Sequence, residues 1–127
     1  MSDLTDLLAP PSEVVVARAL DGYSRLAAAA YGRRLAGIYL FGSRARGDHR
    51  PESDADLAVV LTSFIGSPLE EKMRLVDLGF DALTDAGVMV QPWPFTVAQW
   101  QAGEPGGRFS ELLVAARRDA RLLSVPS

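Results

Sequence analysis

The sequence contains no cysteine and a single histidine, His49, and these two scarcities exclude several kinds of active site. Without cysteine the chain has no disulfide framework, no zinc ribbon, no iron–sulfur centre and no thiol nucleophile. One histidine cannot build a metal site made of several imidazoles. Any chemistry must therefore come from carboxylates, hydroxyls and arginines, unless His49 itself is the base, and we expect His49 to face solvent.

Long hydrophobic runs are missing as well. No segment reaches the roughly 20 consecutive apolar residues that a membrane-spanning helix needs. The start of the chain, MSDLTDLLAPP, is acidic and lacks the basic beginning of a secretory signal. We therefore expect a cytoplasmic protein that does not contact a membrane.

Positive charge is also limited, because the formal net charge is −3 and Lys72 is the only lysine among 13 basic residues. This balance gives no general attraction to nucleic acid. The length of 127 residues, with 48% hydrophobic and 23% charged residues, is typical of one globular domain. We expect residues 1–127 to form that domain, with residues 1–11 as a flexible N-terminal segment.

Hydrophobic periodicity predicts one helix and two strands in the first half of the chain. Ser12 is a suitable N-cap for the helix. Its apolar stripe consists of Val16, Leu20, Tyr23, Ala27, Ala30 and Tyr31. Two short apolar runs, residues 37–41 and 55–61, predict buried strands on either side of a polar loop over residues 42–53.

The second half predicts a helix, a strand and a last helix. Ser67, Pro68 and Glu70 form a helix start with a capping box, and Gly87 suits a C-terminal cap. The apolar stripe of this helix consists of Leu69, Met73, Val76, Phe80 and Leu83. Residues 88–95 then form a third strand, which Pro92 and Pro94 place at a sheet edge.

A loop or a short helical turn follows over residues 100–107. The last helix is marked by Phe109, Leu112, Leu113, Ala116, Ala120 and Leu123. The predicted order is α-β-β-α-β-α, an α/β (α+β) fold in which helices cover a small mixed β-sheet. Trp93 and Phe95 are expected to be strand and core residues.

Two carboxylates open the second predicted strand. Side chains two residues apart in a strand point to the same face, so Asp54 and Asp56 converge while Ala55 turns into the core. Two neighbouring anions repel each other unless a cation lies between them. Oxygen ligands on a rigid strand suit Mg²⁺, which is bound by one or two carboxylates together with substrate phosphates.

The loop before these carboxylates has features of a phosphate site. Gly42 allows a ligand to approach the backbone closely, and the Ser43 hydroxyl and nearby N–H groups can bind phosphate oxygens. Arg44 and Arg46 are natural partners for a triphosphate. Arg50 could be a third partner, or it could be an exposed loop residue.

The glycine–serine pair and the two aspartates are each common alone, but together at this spacing they indicate a particular family. The stretch GSRARGDHRPESDADL, residues 42–57, closely resembles the signature of the minimal nucleotidyltransferases within the DNA polymerase β-like superfamily. With the predicted order of elements, the resemblance covers most of the chain. It implies the polymerase β-like nucleotidyltransferase fold and the transfer of a nucleoside monophosphate from an NTP, ATP above all, to an acceptor hydroxyl.

The resemblance also implies residue roles. Gly42 and Ser43 match the pair that holds the nucleotide phosphates, and Asp54 and Asp56 match the carboxylates that bind one or two Mg²⁺ ions. One feature departs from the pattern, because the superfamily commonly has a third carboxylate on the strand over residues 88–95. Here Met89 or Gln91 takes that position. A single-metal site, a base from a partner and a degenerate enzyme all stay open.

The short chain leaves no further domain to seat an acceptor, and in this it resembles the antitoxin of a toxin–antitoxin pair. The resemblance implies an all-helical HEPN-type toxin as partner, neutralised by modification of a hydroxyl or by binding. Two alternatives are a catalytically weak copy that acts only by binding, and an antibiotic-type enzyme that modifies a small molecule with a helical partner or as a homo-oligomer.

Overall fold

The computed structural model describes residues 12–102 and 110–124, which form four strands, six α-helices and one 3₁₀ helix, Gly32–Arg34. The helices are α1 (Glu13–Tyr31), α2 (Ser43–Arg46), α3 (Pro68–Leu78), α4 (Phe80–Ala86), α5 (Val97–Ala102) and α6 (Ser110–Asp119). The strands are β1 (Leu35–Phe41), β2 (Ala55–Leu61), β3 (Val90–Thr96) and β4 (Arg121–Ser124). The predicted N-terminal segment, residues 1–11, lies outside this description, and so does Phe109.

The strands form one mixed sheet in the order β3-β2-β1-β4. Strand β1 pairs antiparallel with both β2 and β4, while β2 and β3 are parallel. The predicted mixed sheet covered by helices is thus confirmed, and β3 with its two prolines is an edge strand. The prediction missed β4, because the spacing of Ala116, Ala120 and Leu123 also fits a helix. Pairing with the open edge of β1 ends that helix at Asp119.

Helix α1 follows its prediction closely. The Ser12 hydroxyl accepts a hydrogen bond from the Val15 N–H at 3.2 Å, so Ser12 is the N-cap. Five of the six stripe residues are buried, namely Val16, Leu20, Tyr23, Ala27 and Tyr31. The prediction for Ala30 was wrong, since its side chain is exposed. The helix ends at Tyr31 and Gly32 turns the chain with a φ of 56°.

Helix α3 begins as predicted but turns a different face to the core. The Ser67 hydroxyl accepts from the Glu70 N–H at 3.1 Å. The predicted stripe is wrong for Leu69, which is 68% exposed, and for Phe80, which is 64% exposed, whereas the side chain of Leu83 lies outside the described residues. Met73 and Val76 are exposed as well. The helix faces the core with Glu71 and Leu75 and ends at Leu78, and the separate helix α4 begins after Gly79, at Phe80.

Glu71 can be buried because its carboxylate is fully partnered. It accepts hydrogen bonds from Arg34, Arg74, the Tyr31 hydroxyl and the Ile65 N–H. Burial acts to raise the pKa of Glu71, but these donors outweigh it and the pKa is lowered. An ion-pair network within the core therefore decides the orientation of α3, which apolar spacing alone could not indicate.

The sheet separates two cores. One packs Ile38, Leu57 and Leu75 with the buried face of α1. The other packs Phe41, Ala58, Phe95, Leu113 and Ala116, with Trp93 and Trp100 partly buried beside it. Asp56 is the first residue of β2 on this second face. Across residues 12–102 and 110–124, none of the helices is both long and apolar enough to cross a membrane.

Candidate functional site

The candidate site lies where β1 ends and β2 begins. Phe41, the last residue of β1, pairs with Asp56, so the next residue, Gly42, lies beside the Asp56 carboxylate. A Cβ atom at residue 42 would be 2.5 Å from Asp56 Oδ2, and Gly42 has a φ of 75°. Only glycine adopts this backbone conformation without strain and leaves room for the carboxylate.

Asp54 and Asp56 are close enough for the negative charge of one to change the pKa of the other. Asp54 is exposed just before β2, whereas Asp56 is half-buried on the strand. Burial raises the pKa of Asp56, the charge of Asp54 raises it further, and the charges of Lys72 and Arg46 oppose this rise. Within residues 12–102 and 110–124, neither carboxylate receives a hydrogen bond or an ion pair.

This pair has the chemistry of a cation site. Two repelling carboxylates without partners, one of them half-buried, offer hard oxygen ligands of the kind that Mg²⁺ prefers. The described residues contain no cluster of three or more histidine, aspartate or glutamate side chains. Any ion bound by Asp54 and Asp56 would therefore complete its coordination with water and substrate oxygens.

Ser43 opens the short helix α2, which lies inside the segment that the sequence predicted as a polar loop. The Gly42 carbonyl accepts from the N–H groups of Ala45 and Arg46, each at 3.1 Å, and Gly47 ends the turn with a φ of 84°. The first N–H groups of a helical turn have no acceptor within it. They and the Ser43 hydroxyl are therefore next to Asp56 as hydrogen-bond donors for an anion.

Arg44 has a different place from the one predicted. Its side chain is only 3% exposed. Nε donates to the Ser53 carbonyl at 2.9 Å and Nη2 to the Pro51 carbonyl at 3.0 Å, while Nη1 is 3.7 Å from Glu13. Arg44 thus fastens the loop between β1 and β2 with all three nitrogens of its guanidinium.

Arg46 is more accessible, with 42% of its side chain exposed. It pairs with Asp48 at 3.1 Å and with Asp119 at 2.7 Å, which ties the loop to the end of α6. His49 differs from its prediction, because its side chain is only 17% exposed and Nε2 lies 2.8 Å from Glu13 Oε1. Arg50 is exposed.

Lys72 is the residue that sequence reasoning missed. It extends from α3 to the edge strand, where its ammonium donates to the Pro92 carbonyl and lies 3.6 Å from the centre of the Trp93 ring. In the same strand Gln91 pairs with Asp56, whereas Met89 precedes the strand and is 42% exposed. The only sequence signal was that Lys72 is the sole lysine.

Comparisons with known proteins agree with this geometry. A sequence model of the family described as polymerase beta nucleotidyltransferase matches residues 28–84, somewhat less than half of the chain. This segment contains β1, α2, β2 and α3, and so every residue of the candidate site except those on β3. The resemblance to polymerase β-like nucleotidyltransferases is thereby confirmed. No curated protein matches the chain.

Two solved structures share the fold. A candidate nucleotidyltransferase from Sulfolobus solfataricus has a TM-score of 0.55 and 20% identity, with 70% of this chain and 74% of that chain covered. A chain from a toxin–antitoxin structure with AMP-PNP has a TM-score of 0.53 and 18% identity, with 84% and 73% covered. The family model and the first of these structures confirm the predicted nucleotidyltransferase fold.

Proposed function

We propose that this protein is a Mg²⁺-dependent nucleotidyltransferase that moves AMP from ATP to an acceptor hydroxyl and releases pyrophosphate. The observation that carries the proposal is the contact between Gly42 and the carboxylate of Asp56. It places a half-buried carboxylate without partners against a backbone turn that has free N–H groups. A metal ion with a phosphate chain satisfies both, since the ion neutralises the carboxylates and the donors bind the phosphates.

Each residue of the candidate site has a separate role in this proposal. Asp54 and Asp56 would hold Mg²⁺, which when bound stabilises the charge on the transferred phosphate. Gly42 lets the phosphates approach the backbone, and the Ser43 hydroxyl and the first N–H groups of α2 orient them. Arg46 contributes a positive charge at the exposed side. The protein thus acts through position and electrostatics, as is usual in phosphoryl chemistry.

We further propose a helical protein partner of the HEPN toxin type, with this chain as the antitoxin, in the cytoplasm. An exposed apolar stripe on α3 and α4 supports a partner surface and consists of Leu69, Met73, Val76 and Phe80. On α3, Leu69, Met73 and Val76 follow each other at intervals of four and three residues, the spacing at which one helix packs along another, and Phe80 is exposed at the start of α4. The toxin–antitoxin structure of similar fold also supports this choice, and its AMP-PNP makes ATP the first nucleotide to test.

This stripe also favours a second candidate function, in which the chain neutralises its partner by binding alone. The two functions separate experimentally when the chain and a co-purified helical partner are incubated with Mg²⁺ and ATP labelled on the α- or the γ-phosphate. A nucleotidyltransferase transfers the α label, loses the γ label in pyrophosphate, and fails to do either after Asp54→Asn/Asp56→Asn. A stable complex that never acquires the α label would contradict transfer and favour binding alone.

A further inference from the structure

Strand β3 supplies no negative charge next to Asp56. The residue paired with Asp56 is Gln91, and neighbouring residues of parallel strands point to the same face. An amide oxygen can bind a metal but does not offset the charge of a second ion. Two-metal sites hold their ions about 3.5–4 Å apart and need carboxylates to offset that repulsion. The described residues bring together only Asp54 and Asp56 here.

A fixed positive charge lies on the same edge. The Lys72 ammonium is bound to the Pro92 carbonyl and lies over the Trp93 ring, and these two residues pair with Leu57 and Ala58, directly after Asp56. A cation over an indole ring gains further attraction from the ring electrons. Lys72 is therefore held in place from two sides, on the edge strand whose Gln91 pairs with Asp56.

The electrostatics of the two groups support this arrangement. Burial lowers the pKa of Lys72, while the charge of Asp56 raises it. Lys72 therefore lies near enough to Asp56 to feel its charge, without a direct contact between the two side chains.

We propose that the Lys72 ammonium takes the place of a second divalent ion, so that this site binds one Mg²⁺ and Lys72 supplies the second positive charge toward the substrate phosphates. The inference rests on the proposed function. In this proposal Lys72 is a positioning residue, because its fixed charge repels a second metal ion and attracts the phosphate chain of the nucleotide. A role in packing alone would involve the stem of the side chain and not its charge.

The first test separates charge from packing through binding without turnover. Lys72→Met keeps a long unbranched side chain but removes the charge, and Lys72→Arg keeps the charge. We expect Lys72→Met to tighten Mn²⁺ binding without nucleotide, and to weaken metal-free binding of a non-hydrolysable ATP analogue, each by about three- to tenfold. Lys72→Arg should change both far less. Equal shifts in the two variants, or none, would overturn the proposal.

The second test counts ions. In electron paramagnetic resonance titrations with the same ATP analogue, wild type and Lys72→Arg should bind one Mn²⁺ per chain. The double variant Lys72→Met/Gln91→Asp should bind two, because a carboxylate replaces the amide and the repelling cation is gone. Two ions on wild type, or one on a folded double variant, would overturn the inference but leave the proposed function intact. No Mn²⁺ on wild type would contradict both.

Discussion

Gly42 and Asp56 are in such close contact that a methyl group on Gly42 would be 2.5 Å from Asp56 Oδ2. The contact joins the turn after β1 to the first half-buried residue of β2. It holds a carboxylate oxygen against the backbone at the point where a phosphate chain would pass. The candidate site therefore depends on two residues that are 14 positions apart in the sequence and adjacent in the sheet.

Gly42→Ala tests this contact. The new methyl group would force the Asp56 carboxylate aside, and the φ of 75° would strain alanine. We expect a loss of about 2–3 kcal/mol in the free energy of unfolding, and no stabilisation by Mg²⁺ and ATP. Gly47→Ala is the matched control, because Gly47 also has a positive φ but a Cβ there meets nothing within 4 Å. It should cost about 1 kcal/mol and keep nucleotide binding. Equal nucleotide binding in both variants would refute the role of the contact.

Asp56→Asn should stabilise the protein without ligands while it removes metal binding. The pKa of Asp56 is raised by burial and by Asp54, so at neutral pH its negative charge opposes folding. We expect a gain of less than about 1 kcal/mol in the free energy of unfolding, because solvent screens a half-exposed carboxylate. Urea unfolding at pH 7 measures this gain, which should vanish as the pH falls and Asp56 is protonated. A less stable variant at pH 7 would show that the carboxylate serves the fold instead of a ligand.

Substitutions of Arg44 and Arg46 should separate an effect on the stability of the fold from an effect on nucleotide binding. Arg44→Met removes a buried guanidinium from two carbonyls, and we expect a loss of about 2–3 kcal/mol in stability. Arg46→Met removes an exposed side chain and should change stability little while it weakens binding of the ATP analogue several-fold. Thermal unfolding and calorimetric titration measure the two effects. If Arg44→Met folded normally and lost only nucleotide affinity, the assignment of Arg44 to the loop would be wrong.

The buried carboxylate of Glu71 should make the free energy of unfolding depend on pH in the acid range. Its pKa is lowered by its donors below the ordinary value of 4.5, so its contribution is complete above that pH and is lost as the pH falls through the lowered pKa. We expect Glu71→Gln to cost about 1.5–3 kcal/mol at pH 7. The difference from wild type should shrink steadily below pH 4.5 in urea unfolding curves. A difference independent of pH would contradict the ion-pair account.

The exposed stripe on α3 and α4 should contribute to binding and not to folding. Met73→Ser should change the free energy of unfolding by less than about 0.5 kcal/mol, whereas Leu75→Ala, two residues away in the core, should cost about 2–5 kcal/mol. Urea unfolding gives both values. With a co-purified partner, Met73→Ser should weaken the complex. A destabilisation comparable with that of Leu75→Ala would mean that Met73 is packed within the chain.

The sequence predicts local features better than it predicts long-range ones. The cap at Ser67 and the strand over residues 55–61 depend on neighbouring residues, and both predictions agree with the structure. The buried face of α3 depends on Arg34, which lies 37 residues before Glu71 and cannot be recognised as its partner from spacing. The apolar stripe that looked like core is instead a surface of the protein.

The same limit applies to the candidate site. Gly42, Ser43, Asp54 and Asp56 could be selected because a short motif contains all four. Arg44 shares that motif, but only the fold shows that its guanidinium is used by the loop carbonyls. Lys72 lies on α3 and contacts the edge strand beside the one that carries Asp56, and no local pattern connects it with Asp56.

The most direct test of the central claim is the thermal unfolding midpoint with each NTP, with and without Mg²⁺, for wild type and Asp54→Asn/Asp56→Asn. A ligand that binds only the folded state stabilises it by about 2.7 kcal/mol at one hundred times its dissociation constant. The account predicts a Mg²⁺-dependent rise with ATP for wild type and none for the double variant. No rise with any NTP at saturating concentration, or an equal rise in both proteins, would contradict it.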